Sequence, residues 1–109
     1  MDRRIEPRFE CADDVLIYWK SHDETRQQEA TLINISRSGA RLLAPGQVPV
    51  GATVTIAYPN GEFAGRVTHC LTRKPNHILG VVFEPGYEWS RYLYVPKNAR
   101  GLGRLPKSA

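Results

Sequence analysis

Apolar and polar residues alternate with a period of two along most of the chain. In EATLINI (29–35) and TVTIAY (53–58) roughly every second residue is apolar, the pattern of a strand with one face in a core and one in water. DVLIYWK (14–20), rich in β-branched and aromatic residues, reads as another strand, and SHDETRQQ (21–28) as a polar connection. GARLLA (39–44), EFAGRVTHCLTR (62–73) and HILGVVFE (77–84) complete a set of six. APGQVPVGA (44–52) holds two prolines and two glycines and reads as a loop. PNG (59–61) predicts a tight hairpin turn, because Asn60 and Gly61 tolerate positive φ, and KPN (74–76) predicts another turn.

Six short strands at regular spacing with no helix between them predict an antiparallel all-β domain. A chain this small covers its two sheet edges most economically by closing into a barrel. Beyond Pro85, Trp89, Tyr92 and Leu93 fall at i, i+3 and i+4, which predicts a short C-terminal helix whose apolar face plugs one barrel end. A further strand is the competing assignment, and Pro96 ends the element in either case.

The length of 109 residues suits one compact domain. No apolar run follows the N-terminal Met-Asp-Arg-Arg, and no stretch is long enough to span a bilayer, so the expected location is cytoplasmic. Asn34-Ile35-Ser36 forms a glycosylation sequon, which that location leaves unused. Cys11 and Cys70 are expected to be free thiols. His22, His69 and His77 are scattered and no metal-ligand spacing occurs, so no metal or other cofactor is expected. The net charge is +4, but four of the fifteen basic residues (Lys97, Arg100, Arg104, Lys107) lie beyond Pro96. All eleven acidic residues lie before residue 89, so residues 1–96 carry eleven charges of each sign. The excess belongs to a basic tail, 97–109, expected to be disordered, and general nucleic-acid binding by the folded part is not expected.

Two short segments carry candidate chemistry. RRIEPRF (3–9) places Arg4 and Arg8 four positions apart, with Pro7 disfavouring helix at Glu6. Arginine suits planar, bidentate recognition of phosphate or a guanine edge, and it stacks on flat rings. In NISRSGA (34–40), Asn34 offers a carbonyl acceptor and Ser36 a hydroxyl. Two apart at a strand end, they are expected to project to one face. Gly39 is expected to supply a left-handed backbone angle and to let a ligand approach closely. Each segment alone also reads as ordinary structure, a solvated N-terminus and a hairpin turn.

Together, Arg4-x-x-x-Arg8 and Asn34-x-Ser36-x-x-Gly39 resemble the two-part signature of the PilZ domain family, Arg-x-x-x-Arg followed by Asp/Asn-x-Ser-x-x-Gly. GRVTH (65–69) and LGVVF (79–83) are similar to later strands of that family, so the resemblance covers residues 3–84. It implies a six-stranded antiparallel barrel that binds the bacterial second messenger cyclic di-GMP. Carried onto this chain, it implies that Arg4 and Arg8 contact guanine edges and phosphates and that Asn34 accepts from guanine. The same resemblance implies that Ser36 bonds a phosphate or base and that Gly39 shapes the turn. Arg3 precedes the motif at a position that in the family influences how many nucleotides bind. His69 stands roughly where many members have an aromatic beside the guanine. Asn34 departs from the commoner Asp, and a neutral amide accepts more weakly than a carboxylate.

The organisation implied is a mobile arm (1–10), a barrel with its short helix (11–96) and the tail (97–109). The implied activity is that of a non-catalytic receptor whose arm orders on binding and which signals to another, unidentified downstream protein. A small β-barrel binding single-stranded nucleic acid, or a ligand-free interaction module on the same fold, are the alternatives. An enzyme is not expected, because no nucleophile–base pair or carboxylate pair occurs in a credible setting.

Overall fold

The computed structural model describes residues 7–90 and 94–96. Six strands follow one another: β1 (Phe9–Ser21), β2 (Glu24–Ile35), β3 (Gly39–Ala44), β4 (Thr53–Tyr58), β5 (Gly61–Arg73) and β6 (Asn76–Phe83). All pairings are antiparallel and they close a barrel in the order β1-β2-β3-β6-β5-β4. Each strand sends one essentially inaccessible side chain to the centre: Ile17, Leu32, Leu42, Val54, Val67 and Leu79. These are the inward positions of the period-2 pattern, and their burial supplies the driving force that holds the closed sheet.

The strands run further than the alternation alone indicates. Much of the polar stretch 21–28 is the start of β2, which forms a two-stranded ribbon with β1 out to the Ser21–Glu24 pair. His22 and Asp23 make the two-residue turn with φ of 52° and 70°. Positive φ at both central positions matches the twist of the flanking strands, and Asp and His are among the residues that tolerate it. The ribbon is polar because it projects past the barrel, where β1 no longer pairs with β4 beyond Trp19–Val54. At the β4–β5 connection the turn residues are Pro59 and Asn60, not Asn60 and Gly61, since Tyr58 pairs with Gly61. No positive φ occurs there, so Pro59 sets the turn and the expected left-handed Asn-Gly pair is corrected.

One end of the barrel is closed by the connection between β3 and β4, whose Val48 is fully buried. Gln28 fixes this connection with its side-chain amide, accepting from the Gly46 N–H at 2.8 Å and donating to the Gly46 carbonyl at 3.0 Å. The other end is closed by aromatic rings. Trp89 sits 5.4 Å from Phe9, Tyr94 stacks on Tyr58 at 4.4 Å, and Phe63 stacks on Phe83 at 4.8 Å.

The expected C-terminal helix is not present among the described residues. Residues 87–90 and 94–96 have no regular structure, and Tyr92 and Leu93 lie outside the described residues. The Tyr94 N–H donates to the Ser90 carbonyl in one long i→i−4 bond of 3.4 Å. The segment is held by tertiary bonds instead: the Trp89 N–H donates to the Arg37 carbonyl at 2.9 Å, and the indole N–H donates to the Tyr94 carbonyl at 2.8 Å.

Tyr94 reaches an apolar interior hollow with Val15, Ile56, Phe63 and Phe83, and its buried hydroxyl has no hydrogen-bond partner among the described residues. An unsatisfied buried hydroxyl carries a desolvation cost of about 1–3 kcal/mol. Tyr94→Phe keeps the ring and removes that cost. It is expected to raise unfolding stability by about 1 kcal/mol, read as a higher denaturant midpoint at unchanged m-value. A lower midpoint would mean that the hydroxyl finds a partner in solution.

Candidate functional site

β1 begins at Phe9, so the last two residues of the N-terminal arm pair with the end of β2, Phe9 opposite Ile35 and Glu10 opposite Asn34. That register brings the two sequence motifs side by side. Arg8, exposed just ahead of β1, donates from Nη1 to the Asn34 Oδ1 at 3.4 Å. Asn34 follows a bulge in β2 at Ile33 and is half-buried on the outer face of the barrel. Arg3 and Arg4 lie outside the described residues, as does the basic tail.

After Ile35 the chain leaves the strand and turns. The Ser36 N–H donates to the Gly39 carbonyl at 2.8 Å and its hydroxyl donates to the same oxygen at 3.4 Å. Ser36 is only 2% exposed. Asn34 and Ser36 therefore do not share a face: strand geometry ends at Ile35, and Ser36 turns inward to hold the loop. Gly39 has no left-handed φ, which corrects the expected backbone role. A Cβ there would lie 2.5 Å from the Val81 carbonyl oxygen, so glycine is required by the close approach of β6 to β3. The turn is latched from outside as well. Phe83 donates its N–H to the Ser38 carbonyl at 2.7 Å, and Arg37 meets Glu88 at 3.3 Å on the surface.

The registers define a continuous row across five strands: Glu10, Asn34, Arg41, Gly80 and His69. Directly opposed residues in neighbouring strands point to the same side of a sheet, and Arg41 and His69 are exposed, so the row lies on the outer face. With strands about 4.8 Å apart, Asn34 and His69 are about 14 Å from each other along it. His69 follows the Thr68 bulge in β5 and its Nδ1 lies 3.1 Å from the Thr68 hydroxyl. Arg41 was not singled out by the sequence motifs. Its signal was the alternation in Ala40-Arg41-Leu42, where a lone charged residue between two inward apolar positions must point outward.

The PilZ domain family model matches residues 2–88. The chain belongs to the PilZ family. No curated protein is significantly similar to it. Within this PilZ domain, the two halves of the family signature meet at Arg8 and Asn34 on the rim of the barrel end that Trp89 closes. Among the described residues no group of His, Cys, Asp or Glu is arranged to hold a metal, and no helix is long and apolar enough to cross a membrane. Cys11, in the bulge of β1 beneath the arm, donates to the Leu32 carbonyl at 3.4 Å. Burial, with the negative charge of Asp13 adding to it, raises its pKa to about 11. The thiol thus stays protonated through neutral pH and is a poor nucleophile.

Proposed function

We propose that this PilZ domain is a non-catalytic receptor for cyclic di-GMP, acting in the bacterial cytoplasm and signalling to a partner protein. PilZ domains as a class are cyclic di-GMP-binding modules, and residues 2–88 match that class. The observation that carries the reading is the contact between Arg8 and Asn34, which joins two motifs 26 positions apart at an exposed edge. In the proposed complex Arg8, with Arg4, reads guanine O6 and N7 or a phosphate, and Asn34 accepts from the base. Ser36 and Gly39 act chiefly by fixing the turn that presents Asn34, and Arg3 adds a planar cation beside the base.

The Arg8–Asn34 bond is long, between exposed groups, and worth little without ligand. Ligand contacts made by both arginines would hold the arm against the barrel, and ordering the arm changes the surface offered to a partner. Isothermal titration of the folded chain with cyclic di-GMP tests the reading. Saturable binding in the micromolar range or tighter is the expected result, and absence of heat at tens of micromolar protein and excess ligand would remove the ligand assignment. Tight, strongly salt-dependent binding of single-stranded oligonucleotides in the same titration would instead favour a nucleic-acid-binding barrel.

A further inference from the structure

We propose that Arg41, Gly80 and His69 form a guanine shelf beside Asn34, with Arg41 as the residue that distinguishes guanine from adenine. The inference rests on the cyclic di-GMP reading and extends it to three adjacent strands.

Arg41 is directly opposite Asn34 in the β2–β3 register and directly opposite Gly80 in the β3–β6 register. It is exposed and, among the described residues, has no hydrogen bond or ion pair. Its freedom follows from the neutral residue across the strand. A carboxylate at position 34 would lie about 5 Å from Arg41 between Cβ atoms, the spacing of a cross-strand ion pair. Asn34 gives up acceptor strength and leaves the guanidinium unclaimed. The same residue that weakens one contact thereby frees another.

Gly80, lacking a side chain, makes room on the shelf for its neighbour. His69 leans over Gly80: a Cβ there would sit 3.1 Å from the His69 Nδ1 and 3.6 Å from the Thr68 hydroxyl. The Thr68 hydroxyl donates its one proton to the Gly80 carbonyl at 3.3 Å. In the neutral tautomer that donates from Nδ1 to that hydroxyl, 3.1 Å away, His69 keeps Nε2 as an acceptor.

The ligand's other base, set between Arg41 and the His69 ring, then meets a fork of donors on one side and an acceptor on the other. Guanine presents O6 and N7 acceptors to Arg41 and N1–H and N2–H donors to the His69 Nε2. Adenine keeps N7 but sets its N6 amino donor where guanine has O6, so the arginine loses its two-point contact, and its N1 lone pair meets the lone pair of the histidine. The shelf therefore discriminates from both sides.

The test compares cyclic di-GMP and cyclic di-AMP titrations of wild type, Arg41→Ala, Arg41→Lys and His69→Ala, with thermal unfolding as the folding control. Arg41→Ala is expected to weaken cyclic di-GMP binding about tenfold or more and to reduce the preference over cyclic di-AMP by a similar factor. Lysine is expected not to restore the preference, because it keeps charge without the planar fork. In an Asn34→Asp background the Arg41→Ala penalty is expected to shrink, since the new carboxylate engages Arg41. If wild type binds and Arg41→Ala keeps both affinity and preference, the shelf is wrong while the receptor reading stands. Equal weakening toward both ligands makes Arg41 a phosphate contact and overturns the base assignment. An Arg41→Ala penalty of the same size with Asn or Asp at 34 overturns the argument from the neutral amide. Absence of wild-type binding overturns the underlying reading itself.

Discussion

Arg8→Ala is expected to weaken cyclic di-GMP binding by about tenfold to a hundredfold while leaving the fold intact. A hydrogen bond to a charged group contributes about 1.5–3 kcal/mol, and each 1.4 kcal/mol is tenfold in affinity. The same side chain contributes little to the free protein. It is exposed, and its contact with Asn34 is a 3.4 Å bond at the surface. Surface changes of that kind fall within about 0.5 kcal/mol of wild type in stability. The two measurements therefore separate: titration moves and thermal unfolding does not. Arg8→Lys divides the effect further, since a lysine recovers the phosphate attraction but not the bidentate guanine contact. Wild-type affinity in Arg8→Ala would leave the N-terminal arm without a role in binding.

How much of this was legible in the sequence depends on which forces set each feature. The six strands were legible because burial imposes the alternation directly: Ile17, Leu32, Leu42, Val54, Val67 and Leu79 are inward and their neighbours are not. The length of the β1–β2 ribbon was not, because 24–28 projects beyond the core and has no burial pattern to display. The His22–Asp23 turn lacks the glycine that usually marks such turns. The helix expected from Trp89, Tyr92 and Leu93 is absent from the described residues, and Tyr92 and Leu93 lie outside them. Spacing alone could not show that Trp89 bonds to Arg37 and Tyr94 through its two N–H groups.

The candidate site divides in the same way. Residue types in NISRSG and RRIEPR indicated a chemistry, but only the β1–β2 register shows that Arg8 reaches Asn34. The Gly39–Val81 approach and the Phe83 bond to the Ser38 carbonyl depend on β6, some forty residues later. Arg41 enters the site only through its pairing with Asn34 on one side and Gly80 on the other. Local sequence specifies which groups are present, and strand pairing decides which of them face one ligand.

Trp89→Ala is expected to be the most destabilising single change outside the strands, by about 3–5 kcal/mol. Trp89 is 5% exposed and closes the barrel end beneath the site. Its removal leaves a cavity beside Phe9 and strands the Tyr94 carbonyl that the indole N–H now satisfies. A domain of this size has a total stability of about 5–15 kcal/mol, so the loss is a large fraction of the whole. Denaturant unfolding followed by circular dichroism measures it, with Trp19 fluorescence as an independent probe of the opposite barrel end. Trp89→Phe, which keeps a ring against Phe9, is expected to recover part of the loss. The change also reaches the site, because Phe9 roots Arg8 and the Trp89 backbone holds Arg37 in the turn. In conditions where Trp89→Ala is still folded, cyclic di-GMP affinity is expected to fall although Trp89 is not among the proposed ligand contacts. A Trp89→Ala domain within 1 kcal/mol of wild type would show that the ring covers the barrel end without supporting it.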